Sequence, residues 1–249
     1  MLMIGLETSG FVGSIALRRD GQLLEERSLG QAGRRHAQSL VLELRELLHT
    51  HGATSRDVQA IAVSKGPGSF TGLRVGLVCA KTFAYATGCR FVAVDTFEAI
   101  AENCPCDVTD VWVVENAQRG DFFIGRYALD NSVSTSIRSW QLMAPVQIVA
   151  ADEWLANRAA SDTITGPGLT DHAGAISLAR LLTDEAIAKP RAGSIAQLGE
   201  QRLLSDAMPS IESDTDFWKA VPFYFRPSAA EEQQAKRAAL PAREGESVF

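Results

Sequence analysis

The chain has 249 residues, 46% of them hydrophobic and 22% charged, with a formal net charge of −6. That apolar share suits a packed core and excludes a disordered chain, and the acidic balance excludes a protein that binds nucleic acid strongly by charge alone. No apolar run reaches membrane-spanning length, the start Met1-Leu2-Met3-Ile4-Gly5-Leu6 has no basic region or cleavage site, and Cys79, Cys89, Cys104 and Cys106 lack zinc spacing, so a cytoplasmic protein with reduced thiols and no metal site is expected.

Ile4 to Leu6 reads as a strand, Glu7-Thr8-Ser9-Gly10 as a turn, and Val12 to Leu17 as the returning strand. Asp20-Gly21 is a two-residue hairpin signal, and Gln22 to Leu29 completes an antiparallel meander. Leu40, Val41, Leu44, Leu47 and Leu48 then mark one face of an amphipathic helix that ends at Gly52. His49 and His51 straddle that end and read as solvated or capping residues.

The stretch Ser64 to Ala84, SKGPGSFTGLRVGLVCAKTFA, is the most informative part of the chain. Ile61-Ala62-Val63 is a short buried strand stopped by Gly66-Pro67-Gly68, after which Ser69 and Thr71 offer hydroxyl caps to a helix. Such a turn, opening a helix, presents unpaired N–H groups, and two readings stand: a plain turn with an N-cap, or an anion cradle. Within the helix Gly72, Gly76, Ala80 and Ala84 recur every four residues as a ridge of minimal side chains, with Leu73 and Leu77 on the adjacent ridge. Two glycines in a helical interior call for a reason, either close packing within the chain or close approach of a partner.

Arg90 to Val94 reads as a further strand, and Thr96 to Glu102 as a helix capped by Thr96. From about Asp110 the opening pattern repeats: a strand from Val111 to Glu115, a turn from Asn116 to Gly120, strands from Asp121 to Leu129 and about Thr135 to Leu142, a helix over about Pro145 to Ala159, a strand from Thr163 to Thr165, and a second turn, Gly166-Pro167-Gly168. The remainder reads as helical, with Ser194 to Ser205 the clearest case. The expected organisation is a first lobe over residues 1–106, a second and smaller lobe over 107–228, and a flexible tail over 229–249.

GPGSFTGLRVGL, followed by AKTFAYATG and Val94-Asp95-Thr96, resembles the signature of the TsaB (YeaZ) family, and Val221-Pro222-Phe223-Tyr224-Phe225-Arg226 resembles its closing Pro-x-Tyr-x-Arg stretch. The resemblance implies an α/β, two-lobed actin-like ATPase fold, a ribonuclease H-like duplication with mixed sheets. It further implies a non-catalytic subunit that supports a TsaD-type transferase in threonylcarbamoylation of the tRNA adenosine next to the anticodon. TsaE-type ATPase is the implied second partner, and tRNA is reached only through the complex. A homodimer is implied for the isolated chain, with no cofactor of its own and ATP or ADP with Mg only in the partner complex. By position, the family's partner-binding helices fall on His36, Leu40, Leu44 and Leu47, and on Gly72, Leu73, Gly76, Leu77 and Ala80, so Gly76→Leu is expected to weaken the complex.

The implied ligand turn comprises Glu7, Thr8, Ser9, Gly66, Gly68 and Ser69. Here the chain departs from the family, which usually carries Asp at the place of Glu7 and Asp-Ala-Arg at the place of Asn116-Ala117-Gln118. Asn116 brings no charge to a cation, and Gln118 cannot clamp a phosphate as Arg would. His36 stands without the second histidine of the transferase's metal pair. The rival readings are a self-sufficient actin-like kinase and a glycoprotease-like peptidase.

Overall fold

The computed structural model describes residues 1–30, 36–130, 138–170, 172, 178–205 and 216–223. Its first sheet has the order β3-β2-β1-β4-β5, built from β1 (Leu2–Glu7), β2 (Ser14–Arg19), β3 (Gln22–Ser28), β4 (Ala60–Ser64) and β5 (Arg90–Val94). β1 pairs antiparallel with β2 and parallel with β4, so it is the centre of the sheet. A strand covered on both faces must be apolar throughout, and all six residues of β1 are buried.

Alternation along β1 divides its side chains between two layers. Leu2, Ile4 and Leu6 join the core beneath α1 (His36–Thr50) and α2 (Phe70–Thr87), which supply Leu40, Leu44, Leu47, Leu77 and Ala80. Met3 faces the other way, into a core with Ala62, Val92, Ile195 and Leu198. That layer is made by α6 (Ala192–Leu204), whose approach is close enough that a Cβ on Gly5 would sit 2.2 Å from the Ala192 carbonyl oxygen.

The second sheet repeats the first. β6 (Asp110–Asn116), β7 (Asp121–Leu129), β8 (Trp140–Leu142), β10 (Thr163–Thr165) and β11 (Arg180–Leu182) follow the order β8-β7-β6-β10-β11, with the same antiparallel and parallel senses as β3-β2-β1-β4-β5. β9 (Gln147–Ala150) is an addition that pairs with β7. α3 (Thr96–Glu102) joins the halves: Phe97 and Ile100 pack with Val111, Val113, Tyr127 and Trp140 of the second sheet, while Ala99 lies in the core beneath α6.

Several expectations change here. The helix read over Pro145 to Ala159 begins as strand β9, because pairing Val149 with Phe122 on β7 outweighs local helix preference, and the helix that follows, α4, is only Ala151–Ala156. The cap of α3 is Asp95, whose Oδ1 accepts the Phe97 and Glu98 N–H groups, while Thr96 Oγ1 accepts from Gly66 N–H. The stretch after Thr165 includes strand β11 and a short helix, α5 (Glu185–Ala188), before α6. Most consequentially, α6 crosses back to cover the first sheet, so residues beyond 107 do not all belong to the second half. The tail expected over 229–249 lies outside the described residues, as does the strand start expected near Thr135.

Candidate functional site

The first candidate is the turn at the end of β1. Of the turn the resemblance implies, the structure brings Ser9 against Gly68 and Ser69 and packs them shut, while Gly66 lies apart, against Leu73, Phe223 and Thr96. Ser69 N–H donates to the Ser9 carbonyl at 2.7 Å, and a Cβ added to Gly68, whose φ is +153°, would meet Ser9 Cβ at 2.6 Å. Ser69 Oγ accepts the Gly72 N–H, making Ser69 the N-cap of α2. Two amides of the turn are therefore already bonded within the chain.

Glu7 is fully buried, at 0% exposure. Its Oε1 accepts from the N–H and hydroxyl of Ser9, and its Oε2 has no hydrogen-bond partner. Burial raises its pKa against the lowering effect of the two bonds from Ser9. In the repeated half Glu115, one residue before the end of β6, lies near enough to feel the Glu7 charge; burial and that charge lift its pKa to about 7, opposed by the Asn116 N–H bond. The second Gly-Pro-Gly turn lies against Glu115, since a Cβ on Gly168 would come within 3.0 Å of the Glu115 carbonyl carbon. Glu115 was missed in the sequence because its neighbour Asn116, the last residue of β6, drew the comparison, and only the fold brings Glu115 within reach of the Glu7 charge.

Asn116 has a local task. Its Oδ1 accepts the Gln118 N–H at 2.6 Å, and Gln118 and Arg119 both take left-handed φ values, 64° and 60°, in the loop between β6 and β7. Among the described residues no group of three or more His, Cys, Asp and Glu side chains is placed to hold a metal ion, and no helix is long and apolar enough to cross a membrane.

The second candidate is the layer formed by α1 and α2, and here the expected contact residues need correction. Leu40, Leu44, Leu47, Gly72, Leu73, Gly76, Leu77 and Ala80 are all buried within the chain itself. The small-residue ridge meets a strand end: a Cβ on Gly72 would lie 1.9 Å from the Thr8 carbonyl oxygen, and one on Gly76 would lie 2.2 Å from Thr8 Oγ1. Thr8 Oγ1 donates to the Gly72 carbonyl across this contact at 2.8 Å. The glycines thus seat α2 on β1, and Gly76→Leu would disturb the fold before any surface. The side chain of His36 lies outside the described residues.

The opposite faces of the same helices carry the exposed apolar groups: Val41 and Leu42 on α1, and Phe70, Val78 and Tyr85 on α2. Val78 is 63% exposed and Tyr85 73%. Phe70, Arg74, Val78 and Tyr85 follow helical spacing along one outer stripe, with the Arg74 guanidinium 4.9 Å from the Phe70 ring centroid.

The family model for TsaD, tRNA N6-adenosine threonylcarbamoyltransferase, matches residues 27–164, more than half of the chain. The chain belongs to this family. Within the family it is similar to the tRNA threonylcarbamoyladenosine biosynthesis protein TsaB of Bacillus subtilis, 28% identical over 155 residues, which are 62% of this chain and 65% of that one. TsaB of Escherichia coli is 28% identical over 134 residues, 53% of this chain and 57% of that one. A tRNA N6-adenosine threonylcarbamoyltransferase of Solidesulfovibrio magneticus is 34% identical over 113 residues, 40% of this chain but 30% of its own length. The matches thus span less than two thirds of the length of these curated relatives. In fold, YeaZ from Pseudomonas aeruginosa superposes with a TM-score of 0.71 at 22% identity, covering 90% of this chain and 99% of that one. The TsaB (YeaZ) resemblance and the two-lobed actin-like arrangement of mixed sheets both stand on these findings.

Proposed function

We infer that this chain is a non-catalytic subunit for threonylcarbamoylation of the tRNA adenosine next to the anticodon, supporting a TsaD-type transferase through the outer faces of α1 and α2. One observation carries this reading: the two helices bury one face completely and leave Val41, Leu42, Phe70, Val78 and Tyr85 in solvent on the other. Clustered exposed apolar groups of this kind mark contact surfaces. The TsaB names of similar proteins supply the pathway. The 34% identity with a tRNA N6-adenosine threonylcarbamoyltransferase over 113 residues supports a partner with a related lobe, for which a helix-to-helix contact is the natural geometry.

In this reading TsaE-type ATPase joins the complex, the isolated chain pairs with itself through the same helices, the protein is cytoplasmic, and any nucleotide with Mg belongs to the assembled complex.

The test is threonylcarbamoyl transfer to tRNA by the same organism's TsaD-type transferase, TsaE-type ATPase and adenylate-forming enzyme, with and without this chain. Transfer that depends on the added chain is the expected result. An equal rate without it would remove the accessory role.

A further inference from the structure

Residues 216–223 return from the far end of the chain to lie along α2. They open with a 3-10 turn, Asp216–Lys219, and continue without regular structure to Phe223. At the C-terminal end of α2, the Trp218 and Tyr85 rings stand 6.0 Å apart at 55°, and Lys81 Nζ donates to the Trp218 carbonyl at 3.1 Å. Ala220 packs against the core beneath α1 and α2. At the other end, Phe223 N–H donates to the Lys65 carbonyl at 2.8 Å, and Lys65 Nζ lies 4.4 Å from the Phe223 ring centroid. The segment therefore runs the length of α2 in the opposite direction.

These contacts hold the backbone but leave the large side chains outward: Trp218 is 53% exposed and Val221 63%. A half-covered tryptophan beside an exposed tyrosine, both on held backbone, has lost much of its freedom without burying its surface. That is the condition in which an aromatic side chain contributes most to a contact, because little ordering remains to be done on binding. Charge continues the pattern. Arg74 stands on the same outer stripe of α2, packed over Phe70, with no carboxylate within ion-pair distance among the described residues.

We propose that residues 216–223 form a third component of the docking face, in which Tyr85 and Trp218 make an aromatic anchor for an amphipathic helix of the transferase-type subunit. The helix presents an apolar stripe to the Tyr85–Trp218 pair and a carboxylate to Arg74. This rests on the subunit reading above and adds to it a contact element outside the two helices.

The experiment measures affinity by calorimetry between the full-length chain and the same organism's TsaD-type transferase, for the wild type, Trp218→Ala, Tyr85→Ala, their double variant and Val78→Asp. Each aromatic substitution is expected to weaken binding about tenfold or more, and the double variant less than the product of the two, since paired anchors are not additive. Thermal unfolding should shift little, because both side chains are largely exposed. If Trp218→Ala binds as the wild type does while Val78→Asp does not bind, the segment is no part of the face, although the subunit reading survives. Tighter binding by Trp218→Ala would show the segment to be a cover and overturn the anchor. Absence of wild-type binding would bring down the subunit reading and the anchor with it.

Discussion

The two faces of α2 place opposite demands on their residues. The inner face packs Leu73 and Leu77 beside a bare ridge where Gly72 and Gly76 press against Thr8, and every added atom on that ridge meets protein. The outer face carries Phe70, Arg74, Val78 and Tyr85 into solvent. Small residues on a helix therefore show that something comes close, but not whether it is a neighbour in the same chain or a second protein. On this helix the end of the chain's own central strand takes the small residues, and Phe70, Arg74, Val78 and Tyr85 stay in solvent.

Ranked by loss of unfolding free energy, Gly72→Ala should be the most severe change. Its Cβ would collide with the Thr8 carbonyl oxygen, a buried backbone atom just past the end of the central strand, and a cost of about 3 kcal/mol or more is expected in chemical denaturation. Gly76→Ala meets the Thr8 hydroxyl instead, so its cost should fall by roughly 1–2 kcal/mol in a Thr8→Ala background, measured as a double-mutant cycle. Additive effects of those two substitutions would show that the helix is free to shift, and the distinction between the faces would weaken.

Glu115 gives a smaller and pH-dependent effect. Its folded pKa of about 7 lies above the ordinary value of 4.5, so the folded protein binds the proton more tightly than the unfolded chain. Stability from this group is complete below pH 4.5 and is lost as pH rises towards and through 7. Glu115→Gln should therefore stabilise the protein by roughly 1 kcal/mol at pH 8 and have little effect at pH 4, read from unfolding curves at the two values. Val78→Asp should have the least effect on folding, within about 0.5 kcal/mol, because the side chain is exposed. The same variant should lose affinity for the transferase-type subunit by about tenfold or more, measured by calorimetry, which separates the faces in one protein.

Local signals carried much of this fold. The Asp20-Gly21 hairpin occurs where expected, with both residues at positive φ, and the repeat of strand order is recognisable from the apolar segments and the two Gly-Pro-Gly turns. What could not be read was long-range. Ile148 and Val149 resemble the start of a helix until β7 is there to pair with them. The apolar face of α6 shows that it packs on something, but not that it packs on a sheet whose first strand begins near residue 2. The family resemblance grouped Glu7 to Ser9 with Gly66, Gly68 and Ser69, but which of them touch, and the closure made by Gly68 on Ser9, depend on fractions of an ångström.

The crossing of α6 has a consequence for how the protein is made. As the chain leaves the ribosome, the first sheet can form and take its cover from α1 and α2, but Met3, Ala62, Val92 and Val94 stay bare until the residues from Ala192 onward have been synthesised. The amino-terminal half is thus a waiting intermediate with one greasy side, the kind of species that chaperones hold and that aggregates when translation stalls. Its completion closes one of the longest loops in the chain, so the final docking of a late helix, and not the early meander, is the step expected to limit the rate of folding.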